Sequence, residues 1–337
     1  MGKIGEIGEF GLIDRIRARQ SSGDGDIVVG IGDDCAVLRR GPILEVLTTD
    51  CLVEGTHFKP GWMSMGDVGW KALAVNVSDV AATGALPRHA LVTLFLPDDF
   101  TTRAVDEIYD GLEACCKEYG VAIVGGDIVH IDGPFAISIA LAGTCERDEI
   151  VLRSGARQGD IIVVTGALGE ARVGLAYLEG GKREGETEGA KHCIERFRRP
   201  KPRLNEARRI VATLNPSSMI DVSDGLLSDL WHILNASGVG AVLDAQAIPI
   251  GEGVQEYFGS RGQALSHALS GGEDYEILFT IPDGAQSKLA DLEAEIGIKL
   301  TRIGTITPKG EGVKLSSGDT EKVLEPDGFD HFRRPAG

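Results

Sequence analysis

Six segments of this chain place a carboxylate directly after an apolar or glycine-rich run. They are Gly30-Ile31-Gly32-Asp33-Asp34-Cys35, Thr48-Thr49-Asp50, Asn76-Val77-Ser78-Asp79, Gly125-Gly126-Asp127, Asp221-Val222-Ser223-Asp224-Gly225 and Gly271-Gly272-Glu273-Asp274. A carboxylate at the end of a hydrophobic strand or on a buried helix face costs free energy unless its charge is compensated. Each segment alone has a structural explanation. Asp33-Asp34 after two glycines reads as a turn, Asp50 as a cap, and Asp79 as a surface charge on a helix. Asp224 would complement a helix dipole, and Gly271-Gly272 would make a tight turn into a strand. Independent turns, however, give no reason for acids to recur at element ends beside small residues. Taken jointly, the pattern points to one shared site for hard divalent cations. Magnesium favours oxygen ligands and commonly bridges carboxylates to substrate phosphates.

Cations at promising places are fewer. Arg153, in Leu152-Arg153-Ser154-Gly155-Ala156, would either grip a phosphate bidentately or stand as an exposed charge. The run Arg196, Arg198, Arg199, Lys201 and Arg203 is interleaved with prolines and reads as a solvated approach to a helix. His57 follows the Asp50 element in Glu54-Gly55-Thr56-His57-Phe58, as a structural residue or a substrate contact. Neither a Walker A pattern nor a G-x-G-x-x-G after a strand is present. H-E-x-x-H and G-x-S-x-G are missing too. A nucleotide would therefore be held through metal-bridged phosphates rather than by a P-loop.

Composition narrows the classes further. The 337 residues suffice for two domains with cores, and 42% apolar with 25% charged residues is ordinary globular usage. A formal charge of −17 disfavours nucleic acid or an anionic membrane as partner. It also repels an anionic substrate at long range unless metal ions invert the local field. No run approaches the roughly 18–20 apolar residues of a membrane helix. The N-terminal residues lack a signal-peptide core. Six scattered cysteines without a Cys-x-x-Cys pair read as buried thiols. The cytoplasm is the expected compartment.

These acids need elements to carry them. Short strands are expected at 27–29, 36–38 and 43–48, then a helix over 68–82 from which Asp79 projects. A strand at 90–96 precedes a helix capped by Thr101 and ended by Gly120. Strands follow at 121–124 and 135–142. A change of register near 143–158 divides the chain into domains 1–146 and 147–337. The second half alternates: strand 160–165, helix 169–178, a charged loop over 179–188, helix 203–214, strand 218–222, helix 224–235, strands 240–243 and 275–281, helix 285–295, strand 299–306. That alternation predicts an α/β (α+β) fold. Val-Ser-Asp occurs at 77–79 and at 222–224, each followed later by a Gly-Gly-acid element, as either a repeat or a coincidence.

Joined, these motifs resemble the thiamine-monophosphate kinase family of the aminoimidazole ribonucleotide synthetase-like superfamily. The resemblance rests on Gly30–Leu38, Thr48–Phe58, Lys71–Ala85, Asp221–Leu226, Ser270–Phe279 and Gly328-Phe329-Asp330-His331-Phe332, in order over residues 10 to 332. It implies a two-domain fold: an N-terminal mixed sheet with helices on one face, which binds ATP and metal and dimerises through its strands, and a C-terminal α/β domain. It also implies ATP plus thiamine monophosphate giving thiamine diphosphate and ADP, with several magnesium ions. By matched position, Asp33, Thr48, Thr49, Asp50, Asp79, Asp127, Asp221 and Asp224 would be metal ligands, Asp127 and Asp224 lying nearest the chemistry. Tyr109, Gly126, Asp127, Arg153 and Ser223 would contact ATP; His57, Glu273 and Phe329 would contact thiamine monophosphate. Ile128-Val129 departs from the family's usual threonines, so no hydroxyl contact is expected there. The implied reaction is direct in-line phosphoryl transfer, with no strong general base because the acceptor phosphate is already ionised. Two alternatives stand beside it: another ATP-dependent enzyme of the superfamily, or a non-catalytic nucleotide or divalent-metal sensor.

Overall fold

Alternation of inward and outward side chains organises the first half of the chain. In this computed structural model the described residues are 4–19, 25–181, 187–325, 328, 329 and 332. Residues 182–186 of the expected loop, and Asp330 and His331 of the last motif, lie outside them. After helix α1 (Gly8–Arg17), strands β1 (Ile27–Val29), β2 (Ala36–Arg40), β3 (Ile43–Val53), β4 (Leu86–Leu96), β5 (Ala122–His130) and β6 (Ala136–Glu146) form one sheet. Their spatial order is β1-β2-β3-β6-β4-β5. β4 and β5 run parallel and the other neighbours antiparallel, so the sheet is mixed.

Two helices cover one face of it. Helix α2 (Met65–Ala82) starts at a capping box, Ser64 with Asp67. Helix α3 (Thr102–Tyr119) is capped by Thr101 and ends at Gly120 in the left-handed conformation, as the sequence predicts. The two cross closely at glycines: a Cβ on Gly69 would stand 2.0 Å from the Ile108 carbonyl oxygen.

The second sheet contains β7 (Ile161–Thr165), β8 (Ser218–Asp221), β9 (Gly240–Asp244), β10 (Ile277–Ile281), β11 (Leu300–Thr307), β12 (Val313–Ser317) and β13 (Thr320–Leu324), in the order β13-β12-β9-β11-β7-β10-β8. Around it run α4 (Glu170–Glu179), α5 (Glu188–Arg198), α6 (Leu204–Leu214), α7 (Leu226–Ser237), α8 (Glu252–Phe258), α9 (Arg261–Ser270) and α10 (Leu289–Ile296). The expected α/β alternation is present. α5, α8, α9 and the β12–β13 hairpin are additions to it.

Helix α2 lies between the two sheets. One side packs on β3, β4 and β6, the other on β8 and α6. A single apolar core accordingly joins Val46 and Ile139 of the first sheet to Val163, Ile277 and Phe279 of the second. A helix caught between two sheets must be apolar nearly all round. The sequence Trp70-Lys71-Ala72-Leu73-Ala74-Val75-Asn76-Val77-Ser78-Asp79-Val80 meets that demand except at four polar positions, and those four build the site.

Three corrections follow. β3 extends to Val53 and β5 to His130, so Thr48-Thr49-Asp50 and Gly125-Gly126-Asp127 lie within strands rather than after them. For β3 the cause is pairing with β6 along the whole of its length. The six cysteines are all free thiols, but Cys51 is exposed on β3 instead of buried. The two Val-Ser-Asp segments adopt different structures, helix at 77–79 and loop after β8, so they form no structural repeat. Among the described residues no helix is long and apolar enough to cross a membrane.

Candidate active site

The polar residues of α2 each reach a different partner. Asn76 Oδ1 accepts the Asp50 N–H at 3.1 Å while its Nδ2 donates to the Ala72 carbonyl. Ser78 Oγ donates to Asp221 Oδ2 at 2.6 Å, a bond from the first half of the chain to the end of β8. Asp79 Oδ2 accepts the Thr48 hydroxyl at 2.5 Å, with the Asp50 carboxyl close beside it. With Asp34 contributed by the loop after β1, one oxygen each of Asp34, Asp79 and Asp221 lie within 4.8 Å of one another.

Carboxylates so arranged resist ionisation. Burial, and then Asp50, Asp221 and Asp34, drive Asp79 well above the usual range. Asp221 is pushed up to about 8, by burial first and Asp34 second. Asp33 rises to about 7 for the same two reasons, with Arg153 opposing. Burial also raises Asp50 and Asp34. Asp34 Oδ2, moreover, is buried without a hydrogen-bond partner among the described residues. An orphaned buried oxygen calls for an explanation. Clustered carboxylates with hydroxyl oxygens beside them are the donor set that hard divalent cations take, and a bound cation reverses the sign of each perturbation. The residues fit magnesium.

The structure sorts the expected ligands into groups. Asp34, not among the ligands that the resemblance implies, joins the trio where Asp33 was expected. Asp33 turns away: its Oδ1 accepts the Asp34 N–H and its Oδ2 the Arg153 N–H at 3.1 Å. Thr48 and Asp50 share the inward face of β3. Thr49 points to the opposite, open face, because side chains alternate along a strand. Asp127 is in register with Thr93, Ser138 and Cys51 on that outward face, exposed on edge strand β5. The six acidic segments therefore do not all meet in one inward cluster.

Expected nucleotide contacts are spread similarly. The Arg153 fork is engaged with Asp34 Oδ1, at 2.5 Å and 3.1 Å, and keeps 20% of its side chain exposed. Tyr109 is half-buried against the core. Gly126 lies in register with Val92, Ile139 and Asp50 on the inward face. A Cβ there would stand 1.8 Å from the Val92 carbonyl oxygen. Gly126→Ala must therefore push β5 outward. We expect it to lower stability by about 1–3 kcal/mol, measured by thermal melting, with weaker nucleotide binding.

Ser223 and Asp224 occupy the loop between β8 and α7. The sequence reading missed its organiser: Asp229, buried in α7, accepts the N–H groups of Ser223, Asp224 and Gly225 on one oxygen at 3.0–3.2 Å. Phe329, half exposed, donates its N–H to the Asp224 carbonyl at 3.1 Å. Glu273 is tied to the same loop through its N–H to the Ser223 carbonyl, and it pairs with Lys71 at 2.8 Å. His57 accepts the Val53 N–H on Nδ1, which leaves Nε2 carrying the proton in the neutral ring.

The arginine run is another correction. Arg196 is buried on α5, and both it and Arg203 grip the buried carboxylate of Glu276. The local signal was proline and charge; the deciding partner lies 80 and 73 residues away respectively.

Comparison with known proteins gives the same geometry relatives. Residues 32–145 match the family described as AIR synthase related protein, N-terminal domain, and residues 157–315 match its C-terminal domain. Thiamine-monophosphate kinase from Salmonella typhimurium is 39% identical over 337 residues, covering 97% of this chain and 99% of that protein. The chain belongs to the thiamine-monophosphate kinase family of AIR synthase related proteins. Among solved structures, AaThiL complexed with AMPPCP and TMP superposes with a TM-score of 0.86 at 36% identity, covering 98% of this chain and 99% of that one. The thiamine-monophosphate kinase from Stenotrophomonas maltophilia K279a gives 0.76 at 38% identity, covering 90% and 95%. The expected two-domain α/β architecture of this family is the one observed.

Proposed function

We propose that this protein is a thiamine-monophosphate kinase, which transfers the γ-phosphate of ATP to thiamine monophosphate and releases thiamine diphosphate and ADP. The observation that carries the reading is the convergence of Asp34, Asp79 and Asp221 from three distant segments, with a buried oxygen left unpaired. The family membership and the relative solved with AMPPCP and TMP support it.

Asp34, Asp79 and Asp221, with Asp50 and Thr48, would hold magnesium. Asp33 and Asp224 on the adjoining loops, and Thr49 and Asp127 on the outward face, stand apart from that cluster and would serve separate magnesium ions. Bound magnesium supplies the positive charge that lets two polyanionic reactants approach. The chain's own part is placement. Asn76 and Ser78 fix the Asp50 strand and Asp221 against one helix. Asp229 fixes the loop carrying Ser223 and Asp224. Tyr109, Gly126, Arg153 and Ser223 are assigned to ATP; His57, Glu273 and the Phe329 ring, which suits a cationic thiazolium, are assigned to thiamine monophosphate. The acceptor phosphate is ionised near neutral pH, so the transfer needs no strong general base.

The division at residue 146, dimerisation and the cytoplasm are further parts of this reading. The two sheets fall on either side of the boundary. Leu47 and Leu91, exposed on the outward face of the first sheet, suit a second copy of the chain. ATP as co-substrate favours the cytoplasm. The test is an assay with ATP, magnesium and, in parallel, thiamine, thiamine monophosphate or an aminoimidazole ribonucleotide precursor. Thiamine diphosphate and ADP should form in equal amounts from thiamine monophosphate alone. Nucleotide binding without any product would overturn the reading in favour of a sensor.

A further inference from the structure

Lys71 is a lysine with no solvent exposure, in the middle of the helix shared by both sheets. A buried ammonium is costly unless its protons find partners. Here the partners belong to the second half of the chain. Nζ donates to the Phe197 carbonyl at 3.1 Å, sits 3.8 Å from the centre of the Phe197 ring, and pairs with Glu273 Oε1 at 2.8 Å. Glu273 itself keeps 27% of its side chain exposed, so its carboxylate is held from the buried side and open on the other.

The backbone at Glu273 is held in an unfavourable state. Its φ is 69°, and Tyr275 two residues on has φ 51°, although neither is glycine. Strain of this kind persists only where surroundings over-determine it, and it gathers at binding sites. The surroundings are visible: the Glu273 N–H bonds Ser223, Asp274 accepts the Gly169 N–H at 2.7 Å, and Lys71 takes the side chain. Lys71 and Ser78 are two helical turns apart, on one face of α2 and about 10 Å apart along its axis. Through Ser78 that face fixes Asp221 of the acidic trio; through Lys71 it fixes Glu273. Asp221 ends β8 two residues before Ser223, whose carbonyl accepts the Glu273 N–H, and Val222 between them accepts the Tyr275 N–H, so the two places border one another.

We propose that Lys71 is a positioning residue, which holds the Glu273 carboxylate at a set distance from the acidic trio so that its open side receives the cationic part of thiamine monophosphate. This rests on the kinase reading. A rigid rod between the two grips lets one helix align the substrate's cationic end and its phosphate together.

Steady-state kinetics and calorimetric titration of thiamine monophosphate test it in Lys71→Met, Lys71→Arg, Glu273→Gln and the double variant. Lys71→Met should raise the KM for thiamine monophosphate about tenfold or more, with the KM for ATP changed less than about twofold. Lys71→Arg should restore part of the loss. In the Glu273→Gln background, Lys71→Met should add nothing further. A Lys71→Met enzyme with wild-type KM for thiamine monophosphate, or with both KM values raised together, overturns the proposal. If Lys71→Met does not fold, Glu273→Gln with an unchanged KM for thiamine monophosphate overturns it instead. Wild-type protein inactive on thiamine monophosphate sinks the kinase reading and this proposal together, whereas an active wild type with unresponsive Lys71 variants sinks this proposal alone.

Discussion

Replacing Asp79 with asparagine is expected to lower turnover by at least about 10²-fold, without lowering the melting temperature of the metal-free protein. The two halves of that expectation come from one geometry. Asp79 receives the Thr48 hydroxyl and touches Asp50, and its carboxyl is driven up by burial and by three other acids. An amide keeps an acceptor for Thr48 and provides a donor for Asp50, so local hydrogen bonding survives. It removes one of the charges that repel one another when no cation is present, which favours the folded state at alkaline pH. For the same reason it removes a ligand that a cation requires. The variant should therefore gain much less thermal stability from added magnesium than wild type does, since ligand stabilisation grows with concentration over Kd. Scanning calorimetry with and without magnesium reads this directly. Wild-type turnover, or an undiminished magnesium shift, would contradict the assignment of Asp79 to the cation.

Features set by neighbouring residues were legible in the sequence. Thr101 and Gly120 bound α3 because capping hydroxyls and left-handed glycines act within one turn. The apolar spacing of residues 68 to 82 gave α2, and the recurrence of acids gave the cluster. Legibility failed where geometry depended on pairing across the sheet. Thr48 and Thr49 are alike as letters, yet a strand sends them to opposite faces, and only the register with β6 shows that the strand continues through them. Asp33 and Asp34 pose the same problem one loop earlier: two adjacent acids, of which one caps Arg153 and the other enters the trio. The family resemblance carries a position, not a side chain's direction. Lys71, by contrast, carries a local sign: the one cation of a helix buried between two sheets must have a buried partner.

Glu276→Leu should be the most destabilising single substitution near the site, by about 3–5 kcal/mol, enough to lower the melting temperature on the order of 10 °C. Glu276 is 1% exposed, and its two oxygens accept from Arg196, twice from Arg203, and from the Thr165 hydroxyl, at 2.6–2.8 Å. A fully satisfied buried network of this kind is worth more than its separate bonds suggest, and a half-satisfied one is worse than none. Leucine leaves two guanidinium groups without their shared anion. Among the described residues Arg196 then keeps Glu170 at 3.7 Å and the Asp274 carbonyl, and Arg203 keeps Glu206 at 3.8 Å. Glutamine is the sharper variant, because it preserves shape while removing charge and turning an N–H₂ toward a guanidinium; it too should lose several kcal/mol. Glu107→Gln on α3 is the control. Its pair with Arg103 is exposed, and such pairs contribute about 0–1 kcal/mol. The network stands immediately behind Glu273 and Asp274, with Arg196 bonded to the Asp274 carbonyl. Loss of Glu276 should therefore loosen the strained segment as well as the fold, raising the KM for thiamine monophosphate at temperatures where the variant is still folded. Equal melting temperatures for Glu276→Gln and Glu107→Gln would show that the buried charges are not coupled as the geometry requires.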